Sequence, residues 1–154
     1  MLSDILLHIA STCKHKFYVT YYLTLFCLEL IKRGIFHDLS KLYPDEILGF
    51  STVIKELSTS EFGSKEYKDN ARKISPTIRL HKSRNPHHPE YYPNGILDFN
   101  LVDLVEQWTD WQASNKRNLD GDILKSIDIC KERYKLGEIL TSILTNEATR
   151  SRSK

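Results

Sequence analysis

The sequence predicts an all-α domain, on three observations. Apolar residues recur at helical spacing in long runs, no segment shows the period-two alternation of a half-buried strand, and Pro, Gly and Asn stand where helices would start and stop. At 154 residues the chain can bury a core without disulfide or metal staples, so a metal would serve function rather than folding. The expected organisation is a single bundle of about five to six helices over 1–148, followed by a flexible basic tail over 149–154.

Over residues 12–33, Phe17, Tyr18, Tyr21, Tyr22, Leu25, Leu28 and Ile31 keep helical spacing, and Gly34 supplies a stop. Apolar groups cover most of that circumference, which predicts a buried central helix. Residues 35–43 form a short connection, and Pro44 with Asp45 and Glu46 opens a second helix running to about Leu57. The polar stretch 58–64 is a loop, and 65–81 is a third helix that Ser75 and Pro76 kink or divide. Residues 83–95 hold Pro86, Pro89 and Pro93 in a long irregular segment, a kind of loop that often carries function.

Asn100 and Asp103 mark the start of a fourth helix, with Phe99 and Leu104 placed as a hydrophobic staple. It carries Leu101, Leu104, Val105, Trp108 and Trp111 on one face, and Asp103, Gln107, Asp110 and Ser114 on another. A turn at 118–121 leads to a fifth helix over about 122–136, and Gly137 separates it from a shorter sixth.

Charge is close to balanced over the chain and has to be read locally. The 22 basic and 20 acidic residues leave a net charge of +2, which argues against a specific nucleic-acid or membrane partner. Cys13, Cys27 and Cys130 are odd in number, far apart and lack CxxC spacing, which speaks against a disulfide framework and a thiolate zinc site and points to a reducing cytoplasm. The apolar stretch 5–10 has neither a basic flank nor a cleavage site, so no signal peptide is expected. Residues 17–31 fall short of the roughly 18 apolar residues of a membrane span. The apolar helices leave a homodimer possible.

Five of the six histidines form an ordered series with two aspartates: His15, His37-Asp38, His81, His87-His88 and Asp110. Neutral imidazoles and carboxylates are the groups that hold catalytic divalent metals. An adjacent His-Asp pair at a helix junction can aim a nitrogen and an oxygen at one point. His15 and Asp110 would complete a four-ligand set that leaves positions open for water and substrate. Mixed N/O ligation favours manganese or iron, with cobalt, nickel, zinc or magnesium as lesser candidates, in one or two ions.

This order resembles that of the HD-domain metalloenzymes, which are all-α and mostly phosphohydrolases. HDLSK at 37–41 is similar to the HDxxK variant of binuclear members such as the HD-GYP cyclic-dinucleotide phosphodiesterases, although the GYP segment is absent. The resemblance implies that Asp38 bridges two metals, with His15, His37 and Asp110 on one. His81, His87 and His88 are then available to the other metal, or in part to substrate. It implies a hydrolase acting on a nucleotide or small phosphate ester through a metal-activated hydroxide. An HD-type di-iron oxygenase is the alternative enzyme, and a non-catalytic metal-stabilised binding module the alternative of another class. A second resemblance covers residues 14–113. HKFYV, HDLSK with Pro44-Asp45-Glu46, NPHHPEYY at 85–92 and EQWTDW at 106–111 look like the signature of a family of uncharacterised bacterial and viral proteins.

Beside the ligands, Lys41 is a candidate point charge for a phosphate oxygen, or a solvated lysine before a helix. Lys82, Arg84 and Asn85 are candidates for an anion-recognising rim. Glu90 is a candidate acid or an orienting partner for a histidine. Glu46 and Glu106 have the same possibilities, with an exposed carboxylate as the default for all three. Tyr91 and Tyr92 are read as anchoring their loop, and Trp108 and Trp111 as core.

Overall fold

The computed structural model describes residues 1–61, 63–117 and 121–152. Its α-helices run in the order α1 (Leu2–Phe36), α2 (Pro44–Ser51), α3 (Ile54–Thr59), α4 (Lys65–Lys73), α5 (Ser75–Arg84), α6 (Leu101–Arg117), α7 (Ile123–Tyr134) and α8 (Glu138–Arg152). Single 3₁₀ turns fall at Leu39–Leu42, Pro89–Tyr91 and Gly95–Asp98, and the described residues hold no strand. The all-α class therefore holds. Against about five to six expected, eight α-helices stand among the described residues, because the second and third predicted helices each divide. None of the helices among the described residues is long and apolar enough to cross a membrane. The chain separates into two units, 1–37 and 38–154, each described by itself.

The first unit is α1, whose 35 residues rise about 50 Å. It begins some ten residues before the predicted start, and it buries none of its residues. The expectation of a buried central helix is thereby corrected. Periodicity identifies a helix, whereas an apolar circumference does not say what covers it.

The second unit contains the core. The break between α2 and α3 comes where the Thr52 and Val53 N–H groups turn back to Gly49 and Phe50 carbonyls, at 3.3 Å each, and Val53 drops inward to 3% exposure. Ile74 ends α4 in the same way, and Pro76 then sits in the first turn of α5, where its missing N–H costs nothing. Gly49 of α2 faces the side chain of Thr77 so closely that a Cβ would collide with it. That glycine lets α2 and α5 approach, and the approach positions the site below.

Helix α6 starts as predicted, with a reciprocal cap. The Val102 and Asp103 N–H groups donate to Asn100 Oδ1 at 2.8 and 3.0 Å, and the Asn100 N–H donates to Asp103 Oδ2 at 3.2 Å. Asp122 caps α7 through the Leu124 N–H, and Lys135, left-handed at φ 53°, ends it. The turn predicted at 118–121 lies, apart from Gly121, outside the described residues. Trp108, Ile127, Cys130, Leu136, Leu144 and Ala148 form the buried apolar cluster where α6, α7 and α8 meet. Cys130 belongs to that packing: burial pushes its thiol up to about 12, against the charge of Arg133, so it stays an inert apolar group.

The expected flexible tail over 149–154 is also corrected, because α8 continues through Arg152. Arg150 donates twice to Glu147, at 2.7 and 2.6 Å, and Ser151 Oγ donates to the same carboxylate. Basic residues complement the carbonyl end of a helix dipole. Residues 153 and 154 lie outside the described residues.

Candidate metal centre

The site is built from a left-handed turn, the end of α5 and the loop that follows it. His37 ends α1 as its C-cap, and Asp38 adopts φ 56° and ψ 16°. Aspartate tolerates that left-handed conformation better than most residues with a Cβ. The 3₁₀ turn that follows folds Lys41 back, so that its Nζ stands 2.5 Å from Asp38 Oδ2. Pro44 then starts α2 and its first turn carries Glu46 inward, where the side chain is fully buried.

From the other side, α5 delivers His81 in its last turn. Asn85 closes that helix: its Nδ2 donates to the His81 carbonyl at 2.6 Å and to Ser40 Oγ at 2.8 Å. The loop beyond places His87 and His88 next to His81, with ring centroids 6.3 and 5.0 Å from it. It is pinned by the Tyr92 hydroxyl, which donates to the buried Asp103 carboxylate at 2.8 Å.

Asp38 Oδ1 lies 3.1 Å from His81 Nε2 and 3.4 Å from His87 Nε2, and His88 Nε2 lies 3.1 Å from His81 Nε2. One donor atom from each of the four residues falls within 4.8 Å of all the others. The opposite nitrogens of two rings are held by buried carboxylates: His81 Nδ1 by Glu46 Oε2 at 2.9 Å, and His87 Nδ1 by Glu106 Oε1 at 3.2 Å. Glu46 in turn accepts from Arg84 Nη1 and Ser40 Oγ, each at 3.0 Å. A carboxylate on Nδ1 fixes the ring's orientation and leaves Nε2 as the working nitrogen, the arrangement found behind metal-ligating histidines.

Burial raises the Asp38 carboxyl, but hydrogen bonds from His81 and His87 and the Lys41 ammonium outweigh it and hold the group well below the usual carboxylate range. His88 is pushed down to about 2, by burial first and then by the neighbouring His87 and His81, so its ring is neutral. Donors about 2.1 Å from one ion stand about 3.0–3.4 Å apart. Three of the donor pairs, at 3.1, 3.4 and 3.1 Å, match that spacing, and all four donor atoms lie within 4.8 Å of one another, an arrangement that could hold a divalent cation.

A cavity of about 220 Å³ opens over the cluster. His81, His88, Asp110 and Lys41 line it, together with Lys82, Arg133 and the rings of Phe50, Tyr67, Trp111 and Tyr134. An Asp110 carboxylate oxygen lies within 4.8 Å of a His87 ring nitrogen.

The ligands placed first from sequence were His15, His37, Asp38 and Asp110, and those placed second were His81, His87 and His88. Of the set placed first, Asp38 is at the centre and Asp110 lines the cavity, whereas His15 is exposed on α1 and His37 caps that helix. The set placed second, His81, His87 and His88, is the one that gathers around Asp38. Three other expectations are corrected. Glu90 is engaged by Lys82 at 2.6 Å and Arg133 at 2.9 Å. Burial raises its carboxyl, but those cations win and lower it, so it stays ionised and is unsuited to donating a proton. Arg84 is held by Asp45, at 2.6 and 3.0 Å, and braces Glu46. Asn85 is buried as a brace for His81 and Ser40 rather than exposed on a rim.

Glu46 and Glu106, exposed carboxylates by default, are 0% and 7% exposed. Ser40 was passed over altogether. The available signal was the position of Glu46 in a first turn directly after HDLSK, and of Glu106 one turn before Asp110.

Among known proteins, no curated protein and no solved structure matches the chain. A family model does match, over residues 4–151, and the chain belongs to that family, described as Family of unknown function (DUF5662).

Proposed function

We propose that this protein is a metal-dependent phosphohydrolase of the HD type, acting on a nucleotide or small phosphate ester. The observation that carries the reading is the convergence of Asp38 Oδ1 with the Nε2 atoms of His81, His87 and His88, two of those rings being braced by buried carboxylates. Three imidazoles beside a carboxylate favour manganese or iron over magnesium. A bound divalent cation supplies Lewis acidity and makes water a competent nucleophile near neutral pH. Lys41, on the cavity wall and against Asp38, orients an anionic phosphate as a point charge. Lys82, less than one-fifth exposed, offers a second positive charge on the same wall. Glu46 and Glu106 hold the imidazoles in the orientation the ion requires, while Arg84 braces Glu46 and Asn85 bonds Ser40 and the His81 carbonyl.

The test is manganese titration by calorimetry, paired with hydrolysis of p-nitrophenyl phosphate and bis-p-nitrophenyl phosphate in manganese, iron or cobalt. Asp38→Ala is expected to lower both metal affinity and turnover by more than about 100-fold, with helical circular dichroism retained. Equal metal binding and turnover in wild type and Asp38→Ala would sink the proposal, as would wild-type protein that takes up none of the three metals.

A further inference from the structure

A charged groove adjoins the cavity and is used by neither the metal donors nor the fold. Lys68 and Arg72 stand four residues apart on α4, Arg79 and Lys82 three apart on α5, and Arg133 arrives from α7. All five line one open groove of about 630 Å³, and Glu90 is the one acid among its described lining residues. Glu90 is already divided between Lys82 and Arg133, and Asp69 pairs with Arg72 at 2.7 Å outside the lining. Lys68 and Arg79 pair with no carboxylate among the described residues. The groove therefore keeps a strong positive field, which attracts and concentrates a polyanion.

Two features narrow the ligand. Tyr67, Lys82 and Arg133 line both the groove and the cavity over the His-Asp cluster, so the spaces adjoin. Tyr67 is also the single aromatic among the groove's described lining residues, and it is half-buried. A groove for single-stranded nucleic acid needs a series of stacking platforms, and the described lining residues supply one. Arg79 and Lys82 are offset by about 4.5 Å of helix rise, a short step that suits closely spaced phosphates.

We propose that the groove is a subsite for the distal phosphates of the substrate. The compound hydrolysed is then one bearing a run of condensed phosphates, free or esterified, with one phosphorus at the Asp38 cluster and the rest along α4 and α5. The proposal rests on the phosphohydrolase reading. In the reaction the oxygen of one water bonds to phosphorus and one P–O–P bridge breaks. The water's protons are shared between the two phosphate products, and nothing is oxidised or reduced.

The experiment is metal-free calorimetry with inorganic phosphate, pyrophosphate and tripolyphosphate, so that binding is read without turnover. Wild-type protein should bind tripolyphosphate roughly tenfold more tightly than phosphate, and the gap should narrow in salt. In the triple variant Lys68→Gln, Arg72→Gln, Arg79→Gln the gap should shrink to about twofold or less, while manganese affinity matches wild type. If the triple variant does not fold, Arg79→Gln alone should narrow the gap by about twofold or more. The same chain-length series in variant and wild type overturns the proposal. So does an unphosphorylated 20-nucleotide oligothymidylate that binds as tightly as tripolyphosphate, which would make the groove a nucleic-acid surface. Tripolyphosphate binding that depends on the three side chains, without hydrolysis of any phosphate ester in any metal, would sink the phosphohydrolase reading. The subsite would then lose its substrate role and remain only an anion-binding groove.

Discussion

Helix α6 serves two interiors of opposite character. It gives Trp108 to the apolar cluster with Ile127, Cys130, Leu144 and Ala148, and Glu106 to the polar interior that holds His87, His81, Glu46 and Asp38. The first is stabilised by the removal of apolar surface from water, about 25 cal/mol per Å², and asks only for shape. The second takes ionised carboxylates out of water, at a cost of several kcal/mol each that directed hydrogen bonds and cations must offset. Well-packed apolar side chains of similar volume would serve stability as well or better. A region that gains so little as a core is best understood through the chemistry its donor atoms allow. The two interiors should therefore fail in different ways.

The largest effect on stability is expected in the apolar interior. Ile127 is 1% exposed within the α6–α8 cluster, and Ile127→Ala leaves a cavity worth about 2–5 kcal/mol. Urea denaturation should show that loss, with the melting temperature falling by about 5–15 °C. Manganese affinity of the folded variant should stay within about twofold of wild type, since Ile127 is neither in the donor cluster nor among the cavity's lining residues and changes without shared partners are nearly independent. A metal affinity that fell in step with stability would mean that the two interiors are one.

The converse change is Glu106→Gln, which keeps an oxygen to accept from His87 Nδ1 and removes the charge behind it. Replacing such a supporting carboxylate typically costs about 10–100-fold in metal affinity. The unfolding free energy should move by less than it does in Ile127→Ala. Calorimetric titration with manganese and a urea curve on the same sample separate these outcomes. An unchanged metal affinity would show that Glu106 does not act on the ion through His87.

The helices were largely legible in the sequence, because they rest on local, repeating signals, and of the apolar interior only Trp108 and its neighbour Trp111 were read as core. The Asn100 to Asp103 cap, the division at Ser75 and Pro76, and the start at Pro44 each follow from the chemistry of one or two residues. Their structural counterparts lie where that chemistry puts them. The polar interior was legible only in part. The order of histidines and aspartates identified Asp38, His81, His87 and His88, but not that these four would be the group to converge. Convergence depends on the α2–α5 approach at Gly49 and on a loop tied to Asp103 through Tyr92, neither of which has a period. Glu46 and Glu106 were discounted because a carboxylate on a helix is usually solvated. A single sequence does not display the buried imidazole nitrogen that makes these two exceptions. On α1 the error ran the other way, since a broad apolar surface was taken for evidence of burial.

The smallest effect is expected at the hinge between the two interiors, and it is the one that tests whether α6 couples them. Asn100 Oδ1 accepts the first free N–H groups of α6, while Asp103 returns a bond to the Asn100 N–H and holds the Tyr92 hydroxyl of the histidine loop. Asn100→Ala removes the cap and should cost about 1 kcal/mol, a fall of about 2–4 °C in melting temperature. Serine is an equally good cap, so Asn100→Ser should recover most of that loss. Because the same turn anchors the loop carrying His87 and His88, manganese affinity should also slip in Asn100→Ala, by about threefold or less, and recover in Asn100→Ser. A loss of stability with no change in metal affinity would assign the cap to the apolar interior alone. An equal loss in Asn100→Ser would deny that capping is the cause. Movement of both quantities together, in the alanine variant only, is the result that makes α6 the common support of the core and the candidate metal centre.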